Sequence, residues 1–268
     1  MRLIKLTLCW ALLCLVVTCA PPPTDNDTSK AATDTTIFII TPTHKRPERL
    51  ADMTRFSQTL MHVPDIVWIV VEDDLKTSPA VEAVLEAKPY TLWRGWTHRN
   101  YALDYLRTKY RNYDRNAVVY FADDDNSYDI RLFNDYIRKV ETIGVWAVGL
   151  SGGAKVEAPH VENGVIKSWD AVYSPGRAYA VDMAGFAVNL KQILKSDASF
   201  GKQCIGHDPE DCFLQQFKIP KKDAKPFGWD SNPKEILVWH TRTSPTNVDG
   251  GDYGYVFEAN PEKPKKKT

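Results

Sequence analysis

Val118-Val-Tyr-Phe-Ala-Asp-Asp-Asp-Asn126 is the stretch from which the rest of the chain is read. Its first four residues are apolar and strand-favouring, the pattern of a strand buried on both faces. The run stops abruptly at Asp123, Asp124 and Asp125. Three like charges at one strand end repel, and each raises the pKa of the others. A cation relieves that repulsion. Hard carboxylate oxygens suit Mg²⁺ or Mn²⁺, and an ion held by one or two carboxylates keeps positions open for phosphate oxygens. The stretch therefore reads as a metal–diphosphate site. The same string is also turn and helix-cap chemistry, so the reading needs support from elsewhere. A calcium loop is excluded, because Tyr128 stands where its sharp-turn glycine would be.

Support comes from the other apolar runs. Thr36-Ile-Phe-Ile-Ile40, Val67-Trp-Ile-Val-Val71, Val145-Trp-Ala-Val-Gly149 and Glu235-Ile-Leu-Val-Trp239 read as strands. Helical patterns fall at residues 48–61, with Leu50, Met53, Ser57 and Leu60 on one face, and at 81–87 and 101–110. Apolar strands alternating with amphipathic helices predict an α/β fold, a largely parallel sheet flanked by helices. Strand after strand ends in polar residues, at 43–46, 72–74, 123–125 and 240–242. In open α/β sheets the ligand lies beyond the carboxyl ends of the strands, so these ends point to one site.

Composition sets bounds on partners. The 268 residues carry 34 basic and 34 acidic side chains, so no global field argues for nucleic acid. Anion binding must come from local arginines. A basic start, Met1-Arg-Leu-Ile-Lys5, precedes an uncharged apolar run at 6–20 and a proline-rich polar stretch at 21–30. The run is either a signal anchor or a cleaved signal peptide, and the preceding charges place the body in the lumen. Expected boundaries are a cytosolic tail at 1–5, the anchor at 6–20, a stem at 21–34, a folded domain at 35–258 and a charged tail at 259–268. Asn26-Asp-Thr28 is a glycosylation sequon. Cys204 and Cys212 are either one local disulfide or two free thiols; with no CxxC, a zinc site is not indicated.

Six blocks now carry a resemblance: Thr41-Pro-Thr-His-Lys-Arg-Pro47, Val70-Val-Glu-Asp73, Arg99-Asn-Tyr-Ala-Leu-Asp104, Tyr120-Phe-Ala-Asp-Asp-Asp-Asn126, Val181-Asp-Met-Ala-Gly-Phe-Ala187 and Val238-Trp-His-Thr-Arg-Thr243. In this order they resemble the signature blocks of the animal β-1,3-glucuronosyltransferases, glycosyltransferase family 43. The resemblance implies a GT-A type nucleotide-sugar transferase fold, Mn²⁺, UDP-glucuronate as donor and a galactose-terminated glycan as acceptor, of the proteoglycan-linker or glycoprotein kind. It also implies a type II Golgi membrane protein with a lumenal catalytic domain, and a homodimer.

Carried over residue by residue, the resemblance gives Asp125 the metal and Asp123 and Asp124 the ribose and donor sugar. Asp73 would bind the uracil. Arg94 and Arg99 match donor-binding arginines, and His240 and Arg242 match groups lining the diphosphate and glucuronate. Glu157, Arg177 and Asp182 match residues holding acceptor or donor hydroxyls. His44 stands where the family usually has a tyrosine near the uracil, and Tyr173 where it often has a tryptophan against the acceptor. The family's base lies in G-x-x-E-S. Here Gly206-His-Asp-Pro-Glu-Asp-Cys212 aligns Glu210 with it if one residue is inserted, with Asp208 and Asp211 as competing carboxylates. Pro209 places Glu210 in the first turn of a helix, whose dipole favours the ionised carboxylate. The implied reaction is a single inverting displacement with Glu210 as base. Two other readings stay open on the sequence: a GT-A transferase using another UDP-sugar, and a catalytically dead member serving as a binding module.

Overall fold

The computed structural model describes residues 34–44, 46–73, 95–204 and 208–243, plus the backbone of two short N-terminal strands. The other residues, and the side chains of 72, 73 and 202, lie outside that description. In chain order the elements are β1 (Arg2–Leu8), β2 (Leu13–Leu15), β3 (Thr35–His44), α1 (Arg49–Leu60), β4 (Ile66–Asp73), α2 (Trp96–Lys109), β5 (Asn116–Phe121), β6 (Ser127–Tyr128), β7 (Ile143–Val145) and β8 (Val148–Gly149). There follow β9 (Val156–Glu162), β10 (Val165–Asp170), β11 (Phe186–Asn189), α3 (Leu190–Leu194), α4 (Pro209–Gln215), β12 (Lys225–Pro226) and β13 (Val238–Trp239). The main sheet runs β12-β7-β11-β5-β3-β4-β1-β2, and a smaller one runs β10-β9-β8-β13-β6.

The centre of the main sheet is parallel: β3 pairs with β4 on one side and β5 on the other. The antiparallel strand β11 follows next to β5. Successive side chains on a strand point to opposite faces, and the core divides accordingly. Phe38, Ile40, Val119 and Phe121 meet Leu103 and Leu106 of α2 and Phe213 of α4 on one face. Ile37, Ile39, Val118 and Tyr120 meet Phe56 and Leu60 of α1 on the other. Covering both faces is what allows the near-continuous apolar runs of β3, β4 and β5. Register then sets the site. Ile40 lies opposite both Ile69 and Phe121, and His44 opposite Asp73, so the polar ends of three strands emerge on one edge.

Three expectations are corrected. The buried face of α1 is Arg49, Asp52, Phe56 and Leu60, whereas Leu50 is 42% exposed. Phe56 fixes that rotation by stacking on Tyr128 at 4.6 Å and packing edge-on to Trp68 at 5.3 Å. The run at 145–149 is not one strand: β7 belongs to the main sheet and β8 to the smaller one. Between them the buried Trp146 donates its indole N–H to Ala184 O at 2.8 Å. The expected strand at 235–239 shortens to β13, wedged between β8 and β6.

Cys204 and Cys212 form a disulfide, with Cα atoms 5.5 Å apart. The helix expected at 81–87 lies outside the described residues, as does the charged tail. Part of the expected anchor falls on β1 and β2 and the rest outside the described residues; among the described residues no helix is long and apolar enough to cross a membrane.

The rotation of α1 is testable by urea unfolding. Leu60→Ala should cost roughly 2–5 kcal/mol, and Leu50→Ala should stay within about 0.5 kcal/mol of the parent. Equal losses would place Leu50 on the buried face after all.

Candidate active site

The turn after β5 carries the three aspartates, and the structure gives each a different partner. Asp123 Oδ1 accepts from Arg99 Nη2 of α2 at 2.5 Å. Asp124, buried, accepts on Oδ2 from Thr43 Oγ1 at 2.5 Å and from Arg46 Nη1 at 2.8 Å. Burial alone would lower the pKa of Arg46, but the hydrogen bonds and charges of Asp124 and Asp52 outweigh it and hold the guanidinium above its ordinary value. Asp125 is the one left over. No described residue forms an ion pair with its carboxyl, and burial together with Asp123 and Asp124 raises its pKa. Its backbone carbonyl is pinned by Arg55 Nη2 at 2.7 Å and by the Thr241 hydroxyl.

Beside this turn a cavity of about 310 Å³ is lined by Pro42, Thr43, His44, Gly95, His98, Arg99 and Asp123. Gly95 opens α2 at φ +80, and a Cβ there would come 2.7 Å from Arg99 Nη1. His98 has neither ring nitrogen hydrogen-bonded, and burial, with Arg99 and His44 adding to it, lowers its pKa to about 4. The neutral ring therefore has one donor and one acceptor to offer a ligand in this cavity.

A second cluster lies where β8 and β9 face the short turn Met183–Gly185. The Ser151 hydroxyl lies between two carboxyl groups, 2.7 Å from Asp182 Oδ2 and 3.2 Å from Glu157 Oε2. Glu157 is 4% exposed, its Oε1 has no partner, and burial raises its pKa. Asp182 also caps its own turn, accepting from Ala184 N–H at 2.8 Å. His240 follows β13, hydrogen-bonds Gly149 O through its backbone N–H at 2.8 Å, and acts electrostatically on Glu157. Arg177 spans the rim: its guanidinium lies 5.2 Å from the Tyr173 ring centroid and 3.4 Å from Asp208.

Glu210 sits in the first turn of α4, directly after Pro209, as the sequence predicts. Asp208 holds the N-cap position but makes no capping hydrogen bond; it pairs with Arg177 instead. Asp211 is also occupied, accepting the Tyr179 N–H at 2.8 Å. The two competing carboxylates are thus engaged. A backbone hydrogen bond at this helix start favours the ionised carboxylate, but burial outweighs it. Although the residue keeps some exposed surface, protein encloses its carboxyl, and that burial pushes the pKa up to about 7. Asp182 pushes the same way, while Arg99 and Arg177 pull it back. A carboxyl in this range takes or gives a proton near neutrality.

The structure thus gathers Asp123, Asp124, Asp125, Arg99 and His44 at one end and Glu157, Asp182, Arg177 and Glu210 at the other, with His240 beside Glu157. Tyr173 is exposed on the rim. Arg242 is exposed and forms no hydrogen bond or ion pair with a described residue, although Thr241 and Thr243 on either side are both hydrogen-bonded. Arg94 and the side chain of Asp73 lie outside the described residues. Arg46, His98 and Ser151 are additions to the residues assigned from sequence. Arg46 falls within the polar strand end at 43–46, Ser151 lies two residues beyond β8 at a strand end the sequence reading did not single out, and nothing in the sequence marked His98 except adjacency to Arg99. Buried polar atoms without a partner are rare in native proteins. Among the described residues all of them except Ser196 Oγ are on His98, Arg99, Asn126 and Glu157, so the unmet hydrogen bonding collects at this site.

No three potential ligands among the described His, Cys, Asp and Glu side chains could enclose a metal ion. The donor set instead fits an ion held by one carboxylate, Asp125, with its remaining positions left to ligand oxygens and water.

Comparison with known proteins bears on the same residues. The family description "Glycosyltransferase family 43" matches residues 56–244, which take in the site from Arg94 to Arg242. Human galactosylgalactosylxylosylprotein 3-beta-glucuronosyltransferase 1 is 36% identical over 261 residues, covering 88% of this chain and 76% of that protein. The Caenorhabditis elegans protein of that activity, sqv-8, is 37% identical over 231 residues, covering 77% of this chain and 64% of its own. Drosophila melanogaster galactosylgalactosylxylosylprotein 3-beta-glucuronosyltransferase P is 36% identical over 225 residues, covering 77% and 46%. A match of this extent, over the aspartate turn, the Glu157–Asp182 cluster and the Glu210 helix alike, means that the chain belongs to glycosyltransferase family 43.

Proposed function

We propose that this enzyme transfers glucuronic acid from UDP-glucuronate to a terminal galactose of a glycan, forming a β-1,3 linkage with inversion. The observation that carries the reading is Glu210 in the first turn of α4, the carboxyl left uncommitted there while Asp208 pairs with Arg177 and Asp211 accepts the Tyr179 N–H. The names of the relatives supply the sugar and the acceptor class.

In this reading the 123–125 turn and the cavity beside it take the donor. Arg99 and His98 face the nucleotide, and their unmet hydrogen-bonding atoms are satisfied when it binds. Asp125 would hold a divalent cation such as Mn²⁺, which when bound supplies Lewis-acid charge to a departing diphosphate. Arg242 is the cation suited to the glucuronate carboxylate, since arginine forks onto such groups. Glu157, Asp182 and Arg177 orient the acceptor. Glu210 then takes the proton from one acceptor hydroxyl. That oxygen bonds to the anomeric carbon on the face opposite the diphosphate, whose C–O bond breaks. An α-linked donor yields a β-linked product, and no enzyme nucleophile is required. The apolar run at 6–20, preceded by Arg2 and Lys5, is the sequence feature behind a lumenal, anchored body, although its residues 6–8 and 13–15 lie on β1 and β2.

Two experiments test this. The first is UDP release from UDP-glucuronate with a galactoside acceptor in Mn²⁺. A base must be ionised, and Glu210 is raised to about 7, so the rate should climb as pH rises through about 7 and level off above it. Glu210→Gln should slow turnover by roughly 10²–10⁴-fold and abolish that limb, while UDP affinity changes little. If Asp208→Asn or Asp211→Asn gives the large loss instead, the base is that neighbour. The second is calorimetric titration of UDP with Mn²⁺ and with chelator. Asp125→Ala should lose the Mn²⁺-dependent part of the affinity and keep the parent's thermal stability; an unchanged Mn²⁺ dependence would remove Asp125 from the metal.

A further inference from the structure

Asp52 lies on the inward face of α1, 2% exposed. An ionised carboxylate there is costly unless paired and hydrogen-bonded. Asp52 has three partners. Arg46 Nη2 donates to Oδ2 at 2.8 Å, Arg55 Nη2 approaches Oδ1 at 3.2 Å, and Thr243 Oγ1 reaches both oxygens at 3.1 and 3.0 Å.

Each partner has a second role at the site. Arg46 extends its other nitrogen, Nη1, to Asp124 at 2.8 Å. Arg55 Nη2 also donates to Asp125 O at 2.7 Å. Thr243 directly follows Arg242, and Thr241 donates to that same Asp125 carbonyl. One buried carboxylate therefore anchors both sides of the donor end: the turn carrying Asp124 and Asp125, and the strand extension carrying His240 and Arg242. These bonds reach across 70 or more residues of sequence in several cases, 191 for Thr243 to Asp52.

We propose that Asp52 is a positioning residue for the transfer reaction, setting through Arg46, Arg55 and Thr243 the register between the 123–125 turn and the 240–243 segment. Without its charge, Arg46 keeps Asp124 and Arg55 keeps the Asp125 carbonyl, but neither is tied any longer to α1 and to Thr243 through a common anion. The turn and the segment then lose their common tether, and Asp125 and Arg242 no longer face the donor in a fixed relation. The assignment to donor binding rests on the proposed function; the tethering itself does not.

The test uses the full chain as wild type, Asp52→Asn and Thr243→Val, with two readouts. Hydrogen–deuterium exchange of the ligand-free proteins follows peptides over 121–128 and 238–243. In Asp52→Asn both should exchange faster while β3 and β4 keep wild-type protection; in Thr243→Val only the 238–243 peptide should. UDP titrated in Mn²⁺ should bind Asp52→Asn roughly 10- to 100-fold more weakly, the usual effect of losing a group that orients a metal ligand, and the donor KM should rise while the acceptor KM stays put. Wild-type exchange at both peptides would overturn the proposal, and so would protection lost evenly across the sheet, which marks a folding role only. If the wild type neither binds UDP nor transfers, the functional reading falls, and the exchange comparison still decides whether Asp52 tethers the two segments.

Discussion

The structure turns on three carboxylates crowded at the end of a buried strand. Such a cluster is tolerated only if most of its charge is answered locally, because an unpaired buried charge costs several kcal/mol. Arg99 answers Asp123 and Arg46 answers Asp124. These arginines come from elements that the parallel register of β3, β4 and β5 brings to the same edge. Asp125 is left with its pKa raised by burial and by Asp123 and Asp124; Arg46 acts on it electrostatically, but no described side chain forms an ion pair with it. Under the proposed function that oxygen pair is where a divalent cation would bind, with its other positions left to phosphate oxygens.

The second half of the site obeys the opposite constraint. Around Glu210 burial outweighs the pull of Arg99 and Arg177, and the carboxyl is pushed up to about 7, above the ordinary carboxylate range. The competing carboxylates at Asp208 and Asp211 are tied to Arg177 and to the Tyr179 N–H. The Cys204–Cys212 bridge closes the loop that leads into the same helix. One end of the site thus collects carboxylates and the other holds a carboxyl raised toward neutrality, a division that suits the proposed transfer, with an anionic leaving group at the first and a hydroxyl proton taken at the second.

Much of this was legible in the residues. The apolar runs located β3, β4 and β5, their polar ends located the site edge, and Pro209 located the turn that carries Glu210. What escaped did so for physical reasons. Periodicity put Leu50 on the inner face of α1, because a buried face that includes Arg49 and Asp52 does not look apolar. A chain crossing from one sheet to another at Trp146 reads as one continuous strand. The pairing of Cys204 with Cys212 depends on how closely the fold brings them. The burial that governs Glu210 is supplied by residues distant in sequence, so the helix dipole, which is local, was the only visible influence on it.

The central claim is a single displacement driven by one enclosed carboxylate, and the configuration of the product reports on it most directly. With α-linked UDP-glucuronate and a galactoside acceptor in Mn²⁺, the proton NMR spectrum of the isolated disaccharide gives the anomeric coupling of the new linkage. The account predicts the large diaxial coupling of a β-glucuronide on O3 of galactose. The small coupling of an α-linkage would contradict it, since retention requires a different course from the one these residues support.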